Sequence, residues 1–304
     1  MGSKLNKRLV AVGVALLIDR WTLEPPNRWH PVAWFGTAMT AIEQQTWQDK
    51  RSRGALYTAT GVGIGTLAGL MVRSPVIALT IALGAGSLRS TSTEVGELLG
   101  AGHLEAARQA LPALVGRDPS ELDSAGMAAA VIESVAENSV DATVAPVVWT
   151  LIAGAPGALG YRAINTMDAM VGHRSDRYER FGWSSARLDD VANWVPARVF
   201  AGAMTAAAWS QRSSIARAVR SDAPAHPSPN AGVAEAAMAG ALGVELGGTL
   251  RYGDRVENRP LLGSGPRPNA ATIGSANQLV DRALLALGIT GVCIATARVL
   301  RERG

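Results

Sequence analysis

Residues 55–72 read ALYTATGVGIGTLAGLMV, eighteen consecutive positions without a charged side chain. An uncharged run of this length is enough for an α-helix to cross the apolar core of a bilayer. Gly61, Gly65 and Gly69 recur every four residues, which places them on one helix face where a second helix can approach closely. The stretch therefore predicts a transmembrane helix with a packing face of small residues.

Apolar runs also lie on both sides of this stretch. A second uncharged run covers residues 75–88, and the intervening Arg73-Ser74-Pro75 predicts the turn of a helical hairpin. Residues 9–18 follow Lys4, Lys7 and Arg8, an arrangement that resembles a signal peptide but lacks a small-residue cleavage site. We expect an uncleaved short anchor or a re-entrant segment there.

Three later runs extend the pattern. Residues 142–161 contain prolines, so we expect a kinked or broken helix. Runs at 199–211 and 283–297 are flanked by arginines and are either further spans or buried core helices. Strand signals are almost absent, and a small-residue helix is predicted from 232 to about 246. The sequence predicts an all-α, multi-pass helical membrane protein with helical polar segments between the spans, one integral domain over residues 1–304 in the cell membrane.

The composition excludes several classes of protein. With 48% hydrophobic and 18% charged residues, the chain is too apolar to be disordered. The single cysteine, Cys293, rules out a disulfide scaffold or a cysteine-built metal site, and its apolar surroundings predict a core position. A net charge of +4 without a basic run argues against nucleic-acid binding.

Three acids and an amide form the first candidate site. Glu133, Glu137 and Asp141 are spaced by four residues, with Asn138 beside them, so on a regular helix the three acids share one face. Like charges at this spacing destabilise a helix unless a cation or an arginine compensates them. The stripe is either a magnesium-type oxygen site or a solvated acidic face.

A second cluster lies between residues 162 and 194, where acids and arginines balance. Its acids and amides repeat one-turn spacings that suit hard cations, while its arginines could clamp phosphate or carboxylate groups. A structural network of salt bridges is the alternative. The candidate residues are Asn165, Asp168, Arg174, Arg177, Arg187, Asp189, Asp190 and Asn193. His30, in a rigid His-Pro loop, is a further isolated candidate.

Long ordered blocks of the chain resemble the cobinamide (adenosylcobinamide-phosphate) synthase family of cobalamin biosynthesis. The blocks are residues 116–118, 133–141, 145–146, 163–172, 177–178, 181–183, 186–190, 193–198, 228–232, 235–243 and 247–248, with His30-Pro31 near the start. They span nearly the whole chain. The departures are mild: Val233 and Ala234 follow Asn-Ala-Gly, and Ser139 stands where threonine is common.

The resemblance implies a multi-pass membrane ligase that joins aminopropanol, or its phosphate, to the free propionate carboxylate of cobyric acid. It also implies ATP as co-substrate and Mg²⁺. A carboxylate is a poor electrophile, so we expect its activation, as an acyl phosphate, before the amine attacks. Membrane lipid is an expected partner, and a homo-oligomer or an association with other cobalamin-pathway proteins is compatible with the sequence.

We assign the candidate residues to roles on this basis. The expected catalytic residues are Glu137, Asp168, Asp189 and Asp190. The expected metal ligands are Glu133, Glu137 and Asp141, and Glu137 is alternatively the base that deprotonates the amine. The expected substrate-binding residues are His30, Asn138, Asn165, Arg174, Arg177, Arg187, Asn193 and Asn230.

Two other functions fit the same features. A magnesium-dependent membrane transferase acting on lipid or isoprenoid phosphates would also place paired acids beside apolar spans. It would depend on a lipid substrate and not on cobyric acid. A non-catalytic corrinoid-binding scaffold would bind the corrinoid without consuming ATP.

Overall fold

The computed structural model describes residues 2–21, 27–116, 118–173, 175–252 and 255–303. Arg174, a predicted substrate-binding residue, lies outside them. The α-helices are α1 (Gly2–Trp21), α2 (Pro31–Thr46), α3 (Arg51–Val72), α4 (Pro75–Ala82), α5 (Ala85–Gly100), α6 (Leu104–Ala110), α7 (Ser124–Ser139), α8 (Ala145–Ala153), α9 (Ala155–Met167), α10 (Trp183–Ala207), α11 (Arg212–Ser221), α12 (Ala231–Leu242) and α13 (Ala270–Arg303). Two strands, β1 (Glu245–Tyr252) and β2 (Arg255–Gly263), and several short 3-10 and π-helical segments complete the described elements.

The chain divides into two compact units, each built from separate segments. The first unit contains Met1–Gly84, Asp141–Pro196 and Gly288–Gly304. The second contains Ala85–Val140 and Ala197–Leu287. The single integral domain over residues 1–304 stays a prediction.

Helix α3 packs against α9 through its glycine face. A methyl group at Gly65 would lie 2.6 Å from the carbonyl oxygen of Leu159, and one at Gly69 would lie 2.5 Å from that of Ala155. At Gly61 the same methyl group would overlap the sulfur of Met167. The predicted small-residue face is confirmed, and it allows the two helix backbones to approach closely.

One described helix, α3, is long and apolar enough to cross a bilayer by length and composition. The turn predicted after it is confirmed, because Arg73 adopts a left-handed conformation and the Ser74 hydroxyl accepts a hydrogen bond from the Ile77 amide. The second arm differs from the prediction. Helix α4 has eight residues and ends where Leu83 becomes extended, so the run over 75–88 is not one continuous helix.

The predicted break within residues 142–161 is confirmed. Gly154 has φ 69° and ψ −144°, a conformation open to glycine, and it separates α8 from α9. The Arg8 guanidinium donates to the carbonyl oxygens of Leu151 and Ile152, at 3.0 and 2.7 Å. These bonds satisfy acceptors that the end of α8 would otherwise leave unpaired.

The remaining apolar runs are largely helical. Residues 9–18 lie within α1, and 283–297 lie within the 34-residue α13. Most of 199–211 belongs to α10, which a short 3-10 turn follows at Trp209–Gln211. Cys293 is exposed, so its predicted core position is wrong. That the chain crosses the membrane several times stays a prediction.

The fold is predominantly helical, as predicted, but a β-hairpin replaces the end of one predicted helix. Helix α12 stops at Leu242 because Gly243 is left-handed, with φ 67°. Strands β1 and β2 then pair in antiparallel register, with Glu245 opposite Gly263 and a bulge between Leu246 and Gly248. The helix predicted to about residue 246 is therefore wrong in its last turn, as is the near-absence of strands.

Candidate functional site

A polar cluster in the first unit joins three segments of chain: Asp141, the end of the apolar run on α9, and the first half of α10. The Tyr161 hydroxyl on α9 donates to Asn193 Oδ1 on α10 at 2.8 Å, and it lies 3.5 Å from Asp141 Oδ1. The Asn193 amide donates in turn to Asp189 Oδ2 at 2.9 Å. Asn193 thus takes one hydrogen bond from Tyr161 and gives another to the carboxylate one turn earlier on its own helix.

Asp189 lies at the centre of this cluster. The charges of Asp141 and Asp168 both act on its carboxylate, and the Asn165 side chain lies close enough to stabilise its charged form. The structure therefore brings together five predicted site residues: Asp141, Asn165, Asp168, Asp189 and Asn193. Sequence reasoning missed Tyr161, because it stands at the end of an apolar run and resembles an ordinary core or interfacial aromatic residue.

Two π-helical segments carry the other carboxylates of the cluster. Asp141 lies in Val140–Val144 and Asp168 in Asp168–Gly172. A methyl group at Gly172 would overlap the Asp168 carboxylate, so a glycine there leaves space for it. The regular α-helix predicted from Glu133 through Asp141 is wrong at its end, since α7 stops at Ser139. Single π-helical turns within helices are frequent at functional sites, because they change the direction of one side chain.

The donor set of the cluster suits a hard divalent cation. Its side chains supply carboxylate, amide and hydroxyl oxygens, the ligands that Mg²⁺ prefers. Within the described ranges, no group of three or more His, Cys, Asp or Glu side chains is arranged to hold a metal ion. Mg²⁺ usually binds one or two carboxylates together with substrate phosphates, so the cluster fits a phosphate-bound cation better than an all-protein metal centre.

The neighbouring Asp190 belongs to a different interaction. Arg187 Nη1 lies 3.3 Å from Asp190 Oδ2, one turn apart on α10, and the arginine is largely exposed. This geometry matches the salt-bridge alternative for that pair.

Arg177 is held by a residue that the sequence did not single out. Its Nε and Nη2 donate to Glu43 Oε1 at 3.2 and 2.9 Å, and the Tyr178 hydroxyl donates to the same oxygen at 2.9 Å. The guanidinium also stacks 4.7 Å from the centre of the Trp47 ring. A lone acid on a helix carries no signal in sequence, and Glu43 lies 134 residues from its partner, so only the fold shows the pairing.

His30 caps a helix in the structure. It is the N-cap residue of α2, and its Nδ1 accepts a hydrogen bond from the Val32 amide at 3.2 Å. This bond gives His30 a local structural role beside its predicted one in substrate binding.

The acids of α7 in the second unit have different surroundings. Glu133 is buried, and its Oε1 accepts a hydrogen bond at 2.8 Å from the Gly247 amide in the bulge of β1. Glu137, one turn later, is exposed. The Asn138 amide donates to the Ser134 carbonyl oxygen at 2.9 Å. The assignment of Glu133, Glu137 and Asp141 to a metal stays a prediction.

The second unit also contains a buried histidine. Arg259 Nη1 lies 2.9 Å from His226 Nε2, and Glu235 Oε2 lies 3.7 Å from the same nitrogen. Because a guanidinium only donates, Nε2 is an acceptor and the imidazole is neutral. Burial lowers the pKa of His226 and Arg259 lowers it further, whereas the hydrogen bond with Ser228 and the charge of Glu133 act the other way. Close by in sequence, Asn230 Oδ1 accepts from Arg198 at 3.0 Å.

Comparisons with known proteins place the chain in context. A family model described as CobD/Cbib protein matches residues 12–280. A protein of Mycobacterium tuberculosis (strain ATCC 25618 / H37Rv), named cobalamin biosynthesis protein CobD, is 46% identical over 288 residues, 90% of this chain and 91% of the relative. Proteins with the same name from Rhodobacter capsulatus and Chromobacterium violaceum are 41% and 43% identical. They cover 93% and 89% of this chain and 96% and 91% of their own lengths. No solved structure matches the chain significantly.

Proposed function

The chain belongs to the CobD/Cbib family, and from this premise we propose that it acts in cobalamin biosynthesis as an ATP-dependent amide ligase. The ligase joins the amino group of aminopropanol, or of its phosphate, to the free propionate carboxylate of cobyric acid or its adenosyl form. The product is the corresponding cobinamide or cobinamide phosphate. Identities above 40% over about nine-tenths of the chain to proteins named for cobalamin biosynthesis support the pathway.

The observation that carries the proposed chemistry is the cluster around Asp189. Amide formation needs a carboxylate activated by phosphate, a place for the negative charge of that phosphate, and an amine that has lost a proton. Asp141 and Asp168 both lie within electrostatic reach of Asp189. A cation attracted to these acids would in turn attract a phosphate.

We assign Mg²⁺ to these carboxylates. One or two of the carboxylates of Asp141, Asp168 and Asp189 would hold it together with phosphate oxygens, and the ion would neutralise charge that develops on the phosphate. Asn193 and Tyr161 keep the carboxylates oriented through the hydrogen bonds described above. Glu133 instead anchors β1, because its Oε1 already accepts from the Gly247 amide.

We further propose that the protein is a multi-pass protein of the cell membrane. Helix α3 crosses the bilayer, and the other apolar runs contribute further spans. Leu56, Ile64, Leu67 and Met71 are exposed along one face of α3 and support this location, because contiguous exposed apolar surface is uncommon on soluble monomers.

The experiment is mass spectrometry of cobyric acid incubated with membranes that contain the protein, ATP, Mg²⁺ and one of the two amines. We expect a product heavier by one amide-linked amino alcohol, and its mass identifies the amine. Membranes without the protein, and reactions without ATP, are the controls. Corrinoid retained by the protein without ATP consumption would favour the scaffold, and turnover of a lipid phosphate alone would favour the transferase.

A further inference from the structure

The contacts of helix α3 with its neighbours give the depth of the candidate site in the membrane. Along it, Gly69 contacts Ala155, Gly65 contacts Ala163, and Gly61 contacts Met167. Successive residues along α3 contact residues with decreasing numbers on α9, so the two helices are antiparallel. Asp168 directly follows Met167 and therefore lies close to the level of Gly61.

Helix α10 runs in the same direction as α3. The Thr58 hydroxyl lies 2.8 Å from the hydroxyls of both Ser184 and Ser185, near the start of α10. Further along, Asn193 meets Tyr161, which lies on α9 midway between Leu159 and Ala163, the two residues that Gly65 contacts, and is therefore level with about position 65 of α3. Between these two contacts Asp189 falls level with about position 62 of α3.

That level is the middle of the predicted span. Position 62 is eleven residues after Arg51, or about 16 Å along a helix that rises about 1.5 Å per residue. Half the thickness of the apolar core of a bilayer is about 15 Å. The Arg51 guanidinium stacks 5.1 Å from the centre of the Trp183 ring, a pairing typical of the headgroup region, at the start of both helices.

The outer face of α10 is apolar from Val191 onward, whereas Arg187, one turn before Val191 on the same face, is largely exposed and pairs with Asp190. Val191 is 73% exposed and Trp194 is 55% exposed, although both lie within one turn of the polar residues Asp189 or Asn193, which face α9. From Val191 onward the polar side chains of α10 face protein and its apolar side chains face outward, which is the arrangement expected when lipid is the surrounding solvent.

We propose that the reacting centre of the ligase is intramembrane: Asp168 and Asp189 lie near the bilayer mid-plane, with lipid against the Val191 face of α10. This inference rests on the proposed function for the ligase reaction. It rests on the proposed span of α3 for the position of the membrane. Its consequence is chemical, because charges of the substrates and the cation interact more strongly in such a water-poor setting than at an aqueous surface.

The test measures depth with a spin label. Val191→Cys, in a Cys293→Ser background, is labelled with a nitroxide and reconstituted into vesicles of phosphatidylcholine and phosphatidylglycerol. Collision rates with oxygen, which concentrates in the apolar core, and with a water-soluble nickel chelate give the depth. Ile64→Cys marks the middle of α3, while Gln48→Cys and Met71→Cys bracket its two ends; all three side chains are exposed.

We expect the oxygen-to-nickel collision ratio at Val191 to equal that at Ile64 and to exceed those at Gln48 and Met71 several-fold. A ratio at Val191 equal to that at Gln48 would overturn the proposal. Trp194→Cys, on the same exposed face, provides a second reading if the first variant does not fold. Amide formation is measured in the same vesicles. If product forms while the label at Val191 is shallow, the mid-plane position is refuted and the ligase reaction is not. If the label is deep and no product forms, the ligase reaction is refuted and the mid-plane position is not.

Discussion

At the scale of single residues, the account depends on how Asp189 is held. Asn193 is both acceptor and donor, so it links the Tyr161 hydroxyl to the Asp189 carboxylate. Asp190, its neighbour in sequence, pairs instead with the exposed Arg187. Two adjacent acids of the same type thus have different surroundings on one helix, which makes them a matched pair for mutation.

We predict that Asp189→Asn lowers turnover at least about a hundredfold, in the range that loss of one preorganised group that stabilises transition-state charge costs in other enzymes. Asp190→Asn should leave turnover within about threefold, because its ion pair with Arg187 is partly exposed and worth at most about 1 kcal/mol. The measurement is the rate of amide formation in membranes with matched protein content. Equal losses in the two variants would contradict the central position of Asp189.

His226 predicts a dependence of stability on pH. Because the pKa of His226 is lowered in the folded state, the unfolded chain binds the proton more readily. The contribution of His226 to stability is thus complete above the ordinary histidine pKa of about 6.5 and is lost as the pH falls through the lower folded value. Protonation also removes the acceptor that Arg259 uses.

The measurement is thermal unfolding of the detergent-solubilised protein between about pH 7.5 and pH 5, a window that extends below the ordinary histidine pKa. Wild type should lose melting temperature across this window more steeply than His226→Gln, which keeps an acceptor but does not titrate. Parallel curves for the two proteins would show that another group causes the loss.

At the scale of helices and strands, the contact between α3 and α9 is the feature that the sequence predicted best. The four-residue glycine repeat is sufficient to predict this contact, since residues at that spacing lie on one helix face and small residues there allow a second helix to approach closely. Gly63 lies between two members of the repeat but has open space around it. It is therefore the natural control for the contact.

Gly65→Ala should destabilise the protein by about 1–3 kcal/mol, the usual cost of forcing an extra methyl group into a tight contact. The new methyl group would meet the backbone of α9, which cannot rotate away. Gly63→Ala should be neutral or slightly stabilising, because alanine is the better helix former. Chemical unfolding in detergent distinguishes the two, and equal effects would contradict the contact between α3 and α9.

Whether the sequence predicts the other elements depends on whether their cause is local in the chain. The break at Gly154 was foreseen because its cause, proline and glycine close together, is local in sequence. The sequence does not predict the hairpin of β1 and β2, because the adjacent glycines Gly247 and Gly248 interrupt the alternation of apolar and polar side chains by which strands are recognised. Both glycines have positive φ in the structure. The π-helical turns that carry Asp141 and Asp168 leave no signal in residue spacing, and the Tyr161 contact depends on two helices meeting.

At the scale of the whole molecule, the family match covers residues 12–280 and so includes segments of both compact units. The resemblance based on long ordered blocks is confirmed at the level of the family, whereas the reaction, the cation and the number of spans are proposals. Their common core is that the chain activates a carboxylate of the corrinoid with ATP.

Tracing the oxygen of that carboxylate tests this claim most directly. Cobyric acid labelled with ¹⁸O in its free propionate carboxylate is incubated with membranes containing the protein, ATP, Mg²⁺ and the productive amine. If the carboxylate is activated as an acyl phosphate, each amide formed transfers one ¹⁸O to inorganic phosphate, and mass spectrometry should find equal amounts of labelled phosphate and product. Amide formed while the phosphorus-containing products remain unlabelled would contradict the account.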